Sequence, residues 1–231
     1  MPNTPTSSAH LLTLLQLADS ALPTGAFSHS FGLESYLETG QVHDEDSFLQ
    51  WLKHFLDQSL VYTDGLVVRL AYEAEQLQDV FYLDQLAIAA ALPREMREAA
   101  TKIGTRMLSV ANMVFPSTQL QHYSQAIEQG RCFGHPGIGF ALAAKAAQAP
   151  LPDVLSSYLF STLTSLTQNA IRAIPLGQNA GQRVLAAMHA PVAGAVQTIY
   201  TLNIRDVGAA APGLEIAQMR HEHQRARMFM S

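Results

Sequence analysis

The sequence is poor in cysteine, in charge and in alternating hydrophobic patterns, and each shortage excludes a class of protein. Cys132 is the only cysteine among 231 residues, which excludes a disulfide-stapled scaffold and fits a reducing compartment. Charged residues make up 14% and hydrophobic residues 48%, a balance that excludes intrinsic disorder. No convincing run of period-two alternation is present, so the sequence favours an all-α fold.

The few charges are distributed unevenly along the chain. Residues 1–98 hold 14 acidic and 4 basic side chains, whereas residues 99–231 hold 5 acidic and 10 basic ones. No run of five or six like charges exists and the pI is about 5.9, so we expect no nucleic-acid partner. The asymmetry either disappears when helices pack into one mixed surface or marks a surface for a partner.

The segment from 132 to 204 is almost uncharged. Its charged residues are Lys145, Asp153, Arg172 and Arg183. Val154–Ile171 and Val184–Ile204 reach membrane length, but their hydroxyl and amide side chains make them too polar to span a membrane. We therefore predict helices buried on most sides, in a core or a homo-oligomer interface. Leu11–Ala18 is too short and wrongly flanked for a signal peptide, so we expect a cytoplasmic protein with no membrane partner.

Apolar spacing predicts a single-domain, all-α bundle of roughly ten short-to-medium helices over 1–231. We expect a flexible N-terminus (about 1–9) and a partner-binding C-terminal tail (about 220–231). Either Asp44 or Asp46 is a candidate helix cap, and Pro191 is expected to kink or split its helix. The predicted helices are Leu11–Asp19, Ser30–Glu38, Asp44–Tyr62, Asp64–Gln76, Asp79–Leu92, Pro93–Val114, Ser117–Gln129, Pro136–Gln148, Asp153–Ile174, one ending near Met188, and Pro212–Met219.

The sequence offers little support for catalysis. It contains neither the glycine-rich loop of phosphate-binding NTPases nor the Gly-x-Ser-x-Gly elbow of hydrolases. His221 and His223 are two residues apart and so face different sides of a helix, which disfavours a zincin-like metal site. Glu34 and Glu38 share one helical face, a pattern typical of solvated carboxylates. We predict no catalytic and no metal-ligating residues, with a metal-dependent enzyme that uses the histidines as the alternative.

Three segments together resemble one known family. Ser20–Glu34 resembles a Pro-x-Gly-x-aromatic, Ser, Gly-Leu-Glu pattern, and Ile174–Gln178 resembles a Pro-Leu-Gly-Gln turn. Met219–Ser231 resembles an ending in Met-x-His-Glu-x-Gln that is followed by an arginine-containing terminus. This combination is similar to the urease accessory protein UreF family, and the order and spacing match over essentially the whole chain.

The resemblance implies a dimerising, all-helical protein that is not an enzyme. It implies a chaperone or scaffold that works with UreD (also called UreH) and the GTPase UreG to deliver nickel to apo-urease, by recruiting and positioning UreG. No cofactor is expected to be bound stably, although nickel passes through or is handled by the complex. The alternative implied role is activation or fidelity control of the GTPase, with Arg94, Arg220 and Arg225 as candidate arginine fingers.

Two sets of residues follow from the resemblance. The residues assigned to partner binding are His29, Ser30, Glu34, Arg220, His221, Glu222, Arg225 and Arg227. The residues assigned to structural turns or close packing are Pro23, Gly25, Gly32, Pro175 and Gly177. For the polar residues the alternative is a local role in capping and hydrogen bonding, and the basic tail is expected to fold when it docks against a partner.

Overall fold

A computed structural model describes residues 9–209 and 211–230, and it contains helices but no strand within those ranges. The all-α prediction is therefore confirmed. None of the described helices is long and apolar enough to cross a membrane. The predicted flexible N-terminus lies outside the described residues except for Ala9. The α-helices are α1 Ala9–Leu17, α2 Leu33–Glu38, α3 Glu45–Phe55, α4 Leu66–Glu73, α5 Leu77–Ala90, α6 Arg94–Val114, α7 Thr118–Glu128, α8 Pro136–Ala146, α9 Leu151–Ala173, α10 Gln178–Ala187, α11 His189–Thr201 and α12 Pro212–His221.

The helices α3 and α4 are two ends of one continuous helix. A π-helical segment, Leu56–Gly65, joins them without a break. The predicted break between Tyr62 and Asp64 is wrong, because the wider π turn absorbs extra residues without ending the helix. Gly65 itself has an ordinary helical φ of −59°.

Capping and proline positions explain several of the other helix ends. Asp44 caps α3, since its Oδ1 accepts a hydrogen bond from the backbone N–H of Ser47 at 2.9 Å. Pro191 is the third residue of α11, in the first turn, where a helix does not need the missing N–H, so α11 continues past it without a split at the proline. Only Met188 separates α10 from α11.

Helix α8 lies at the centre of the molecule. Every residue from Pro136 to Ala144 is buried, and the helix packs against α4 and α6 with α1, α7 and α9 around it. Helix α9 has no exposed residue from Val154 to Ile171 and packs against α10 and α11. The interior of one chain thus accounts for the first uncharged stretch without a second copy. In the second stretch, Val184–Ile204, more than half of the residues are exposed, so the prediction of burial on most sides is wrong there. The homodimer stays a prediction.

One buried carboxylate organises the connection between α7 and α8. Asp84, on α5, is fully buried and accepts a hydrogen bond from the hydroxyl of Tyr123 at 2.5 Å. It also accepts the backbone N–H groups of Phe133, Gly134 and His135 at 2.6, 3.0 and 2.9 Å. Burial, together with the neighbouring charge of Asp84, raises the pKa of Tyr123 well above its usual value.

Candidate interaction site

The C-terminal segment, 222–230, folds back onto the residues that precede and begin α2. The two carboxylate oxygens of Glu34 accept the backbone N–H groups of Met228 at 2.5 Å and Phe229 at 3.1 Å. The N–H of Met230 donates to the carbonyl of Ser28 at 2.8 Å. The end of the segment is therefore held by its main chain, and the side chains of Met228 and Met230 stay exposed.

A charged cluster fixes the start of this segment. We define the His221 cluster as His221, Glu34, Glu95 and Arg227. The His221 ring is fully buried, with Nδ1 2.7 Å from Glu95 Oε2 and Nε2 3.0 Å from Glu34 Oε2. Arg227 Nη1 donates to the other oxygen of Glu95 at 2.7 Å. The cluster joins α2, α6, α12 and the C-terminal segment through charge-assisted hydrogen bonds.

The two glutamates of α2 have different surroundings. Glu34 is 9% exposed and belongs to the His221 cluster, whereas Glu38 is exposed and accepts a hydrogen bond from Gln224 Nε2 at 2.8 Å. Ser35, between them, donates to the carbonyl of Ala217 at 2.7 Å. The prediction that both glutamates are solvated is wrong for Glu34, because α12 and the C-terminal segment cover it.

Helix α9 supports the loop that precedes α2. Asn169 Nδ2 donates to the carbonyl of His29 at 2.8 Å, and Arg172 Nη2 donates to the carbonyl of Phe27 at 3.0 Å. The guanidinium of Arg172 also bonds to Asn169 Oδ1 and lies over the Phe229 ring, 5.3 Å from its centroid. The same arginine therefore contacts both the loop and the C-terminal segment.

The predicted structural residues lie at chain turns. Pro23 and Gly25 separate α1 from α2, and Pro175 and Gly177 separate α9 from α10. Gly25 and Gly32 have φ values of 79° and 92°, in the left-handed region that favours glycine. A Cβ on Gly32 would also lie 2.9 Å from the Gln218 side chain on α12. These two glycines thus shape the loop that receives the C-terminal segment.

His29 is neutral in this environment. It is buried, and burial is the largest cause that lowers its pKa from 6.5 to about 4. The positive charges of Lys102 and Arg106, on α6, lower it further, while Glu95 acts in the opposite direction.

Apolar side chains stand exposed where the loop and the C-terminal segment meet. Phe27, Met228 and Met230 are 51%, 61% and 55% exposed. The pairing of Met230 with Ser28 places this end of the segment beside the loop that carries Phe27. We call these three residues the terminal surface. Arg172 contacts the chain on both sides of it.

The structure divides the eight predicted partner-binding residues into two groups. His29, Ser30, Glu34 and His221 are buried and interact within the chain, while Arg220, Arg225 and Arg227 are exposed. Glu222 is half-buried and lies 3.4 Å from the guanidinium of exposed Arg94. The tail was expected to fold only on a partner, but here it is already docked on its own chain. Partner contact by these residues stays a prediction.

The site involves side chains that the sequence did not single out. Glu95, Asn169 and Arg172 each contribute a side chain, and none of them was assigned a role from the sequence. The only local signal was the position of Glu95 in the first turn of α6, which reads as a helix-dipole preference.

The histidines do not assemble a metal centre in the described part of the chain. No group of three or more histidine, cysteine, aspartate or glutamate side chains there is placed to hold an ion. In the His221 cluster the two ring nitrogens point to carboxylates on opposite sides, and His223 is exposed.

A cavity of about 190 Å³ extends from the loop that precedes α2 toward the π-helical segment. Its wall includes Phe27, the hydroxyl-bearing residues Ser161 and Ser165 of α9, and Asp64. Asp64 Oδ1 accepts a hydrogen bond from the Tyr158 hydroxyl at 2.7 Å. Burial, with the nearby charge of Asp64, raises the pKa of Tyr158 well above its usual value.

Fold and site together define an all-helical protein whose C-terminal segment is fixed to its N-terminal loop and carries an exposed apolar surface. Comparison with known proteins agrees with the motifs. The UreF family model matches residues 42–189, and this chain belongs to the UreF family. It is 54% identical to the urease accessory protein UreF of Arthrobacter sp. (strain FB24) over 223 residues, which covers 96% of this chain and 98% of that protein.

Two further relatives match to a similar extent. The urease accessory protein UreF of Paenarthrobacter aurescens (strain TC1) is 52% identical, with 97% of this chain and 100% of that protein covered. That of Kocuria rhizophila is 47% identical, with 97% and 98% covered. The motif-based family prediction is confirmed.

Proposed function

We propose that this protein is a non-catalytic, cytoplasmic accessory factor in the assembly of the nickel centre of urease. As a homodimer it binds UreD/UreH and recruits the GTPase UreG, which it positions on the apo-urease complex. Nickel is the cargo of this complex and is not a resident cofactor of the chain. Family membership and the fixed C-terminal segment support this proposal.

The observation that carries the proposal is the terminal surface. Phe27, Met228 and Met230 are large apolar side chains that stay exposed although the backbone beneath them is fixed by hydrogen bonds. Side chains on a preordered backbone lose little conformational freedom on binding, which favours affinity. Aromatic and methionine side chains are also enriched in protein interfaces.

The buried residues have an indirect role in this proposal. Glu34 and His221 hold the C-terminal segment, and the carbonyl of His29 is bonded to Asn169. They position the terminal surface, while exposed Arg220 and Arg225 contribute charge at the partner interface. Substitution of a buried member therefore disturbs binding by displacing the segment.

We also propose that nickel passes through the cavity next to Phe27. The cavity next to Phe27 contains a carboxylate, Asp64, and several hydroxyl groups, which are oxygen donors that a divalent cation accepts. The same wall is mostly apolar, so the cavity favours transient passage over storage. The assembled complex supplies the remaining route.

The first test compares surface variants in solution. We expect Phe27→Ser combined with Met230→Ser to weaken binding to UreD and UreG at least tenfold, which corresponds to about 1.4 kcal/mol. Met113→Ser is the matched control, because Met113 is 75% exposed near the far end of α6. Light scattering on the chain alone and with both partners is the measurement. Normal complexes with the double variant would overturn the role of this surface.

The same complexes distinguish the alternative function. An arginine inserted into the GTPase site in trans raises hydrolysis by ~10³–10⁵-fold. Arg220 and Arg225 are exposed and Arg94 is paired with Glu222, so the first two are the better candidates. If Arg220→Ala or Arg225→Ala abolishes stimulated hydrolysis by UreG while the complex still forms, activation of the GTPase replaces positioning as the function.

A further inference from the structure

The C-terminal segment is fixed by a histidine that faces a carboxylate on each side. We propose that this docking is linked to a proton: His221 holds residues 222–230 in place only while both of its ring nitrogens are protonated, so the segment is a latch that opens as the pH rises. The inference concerns this chain alone and does not depend on the proposed function.

Hydrogen-bond geometry is the first argument for the latch. The His221 ring lies 2.7 Å from Glu95 Oε2 and 3.0 Å from Glu34 Oε2. An ionised carboxylate can only accept hydrogen bonds, so each ring nitrogen must donate. A neutral imidazole donates from one nitrogen only, and its other lone pair would then face a carboxylate oxygen. Complete pairing of the buried ring therefore requires the charged form.

Charge balance is the second argument. Glu34 from α2 and Glu95 from α6 carry two negative charges, and Arg227 from the C-terminal segment supplies one positive charge. His221 supplies the second only when it is protonated. Removal of that proton leaves one surplus negative charge on two glutamates that are largely shielded from water, which is unfavourable.

The other charged groups near the ring do not remove this surplus. The Arg94 guanidinium lies 3.4 Å from Glu222 and 3.9 Å from Glu98, so this group brings no surplus positive charge to the cluster. His29, on the loop, has a pKa lowered to about 4 and is already neutral above pH 5. The positive charges of Lys102 and Arg106 act on His29.

The cluster is coupled to the segment through two of its members. Glu34 binds the N–H groups of Met228 and Phe229, and Arg227 belongs to the segment itself. When His221 is neutral, displacement of the segment allows water to solvate both glutamates.

Hydrogen exchange of the full chain tests the latch. We expect the protection factor of a peptide that covers 222–230, corrected for intrinsic exchange, to fall by up to about tenfold per pH unit above the release point, the limit for one proton. Peptides from α8 should keep their protection from pH 6 to 9. A control variant, His122→Gln at an exposed position of α7, should follow the original profile.

Two variants distinguish a proton-linked latch from a purely structural contact. In Glu95→Gln the surplus charge is gone and the new amide can pair with a neutral ring, so the segment should stay docked at pH 9. In His221→Gln the profile should be flat and the protection low at every pH. Retained α8 protection and helicity show that each variant is folded. A flat profile in the original protein, or parallel loss in the original and Glu95→Gln, would overturn the inference.

Discussion

His29 shows how one buried side chain makes stability depend on pH. Its pKa is about 4 in the folded chain, against 6.5 when it is exposed. Between these two values the unfolded chain binds more protons than the folded one, so folding stability decreases as the pH falls from about 6.5 to about 4. Above that range the contribution of His29 is complete.

We therefore predict that His29→Gln flattens part of the acid-side loss of stability. The glutamine keeps a polar group of similar size but cannot take up the proton that favours the unfolded chain. Urea unfolding at pH 7 and pH 5 measures the difference, and His122→Gln is the exposed control. The control should lose as much stability as the original protein between pH 7 and pH 5. If His29→Gln also loses as much, another group is responsible for the loss.

The sequence indicated which residues belong to the site better than it indicated what those residues contact. The motifs singled out Glu34 and His221, but their contact joins positions 187 residues apart in the sequence. Local periodicity cannot show such a contact, and it made Glu34 look solvated. Glu95 and Asn169 were missed for the same reason, because their partners come from distant segments.

At the scale of elements, the carboxylate of Asp84 accepts the backbone hydrogen bonds of the connection between α7 and α8, which has no helix of its own. Three consecutive N–H groups and one hydroxyl converge on it in a buried place. We predict that Asp84→Asn lowers the free energy of unfolding by about 1–3 kcal/mol, because the new NH₂ group faces donors and leaves some of them unpaired.

Tyr123→Phe is the matched comparison for this prediction. It removes the bond from the hydroxyl to Asp84 and the bond that the hydroxyl accepts from the His135 N–H, but all three N–H groups keep the carboxylate. Its cost should therefore be smaller, about 1 kcal/mol. Chemical denaturation measures both variants. Equal stabilities of Asp84→Asn and the original protein would show that the loop does not need the charge.

Most helices were predictable because their ends carry local signals. The Asp44 cap, the stop after α6 and the break at Pro175–Gly177 all lie near the predicted positions. The continuous helix through Leu56–Gly65 was not predictable, because the choice between a break and a π turn depends on packing. Gly65 packs closely against Ile199 and Leu159, and those contacts come from other helices.

At the scale of the whole molecule, the proposed homodimer needs a direct measurement. Helix α8 and residues 154–171 of α9 are covered within one chain, so their low charge does not by itself support oligomerisation, whereas α11 keeps an exposed side without Asp, Glu, Lys or Arg. We nevertheless expect a mass of twice 25.1 kDa in light scattering, on the basis of the family resemblance. A concentration-independent mass of 25.1 kDa would contradict the dimer for the chain alone.

Because the C-terminal segment packs on α2, the contacts of α2 cannot all form until that segment has been synthesised. Helix α2 leaves the ribosome early, yet its Glu34 and Ser35 have partners that follow 182 to 195 residues later. At about 5–20 residues per second, translation takes on the order of 10–40 s to supply them. Throughout that interval a nascent chain carries an acidic side chain that is destined for the interior, because its partners His221, Met228 and Phe229 have not yet been made.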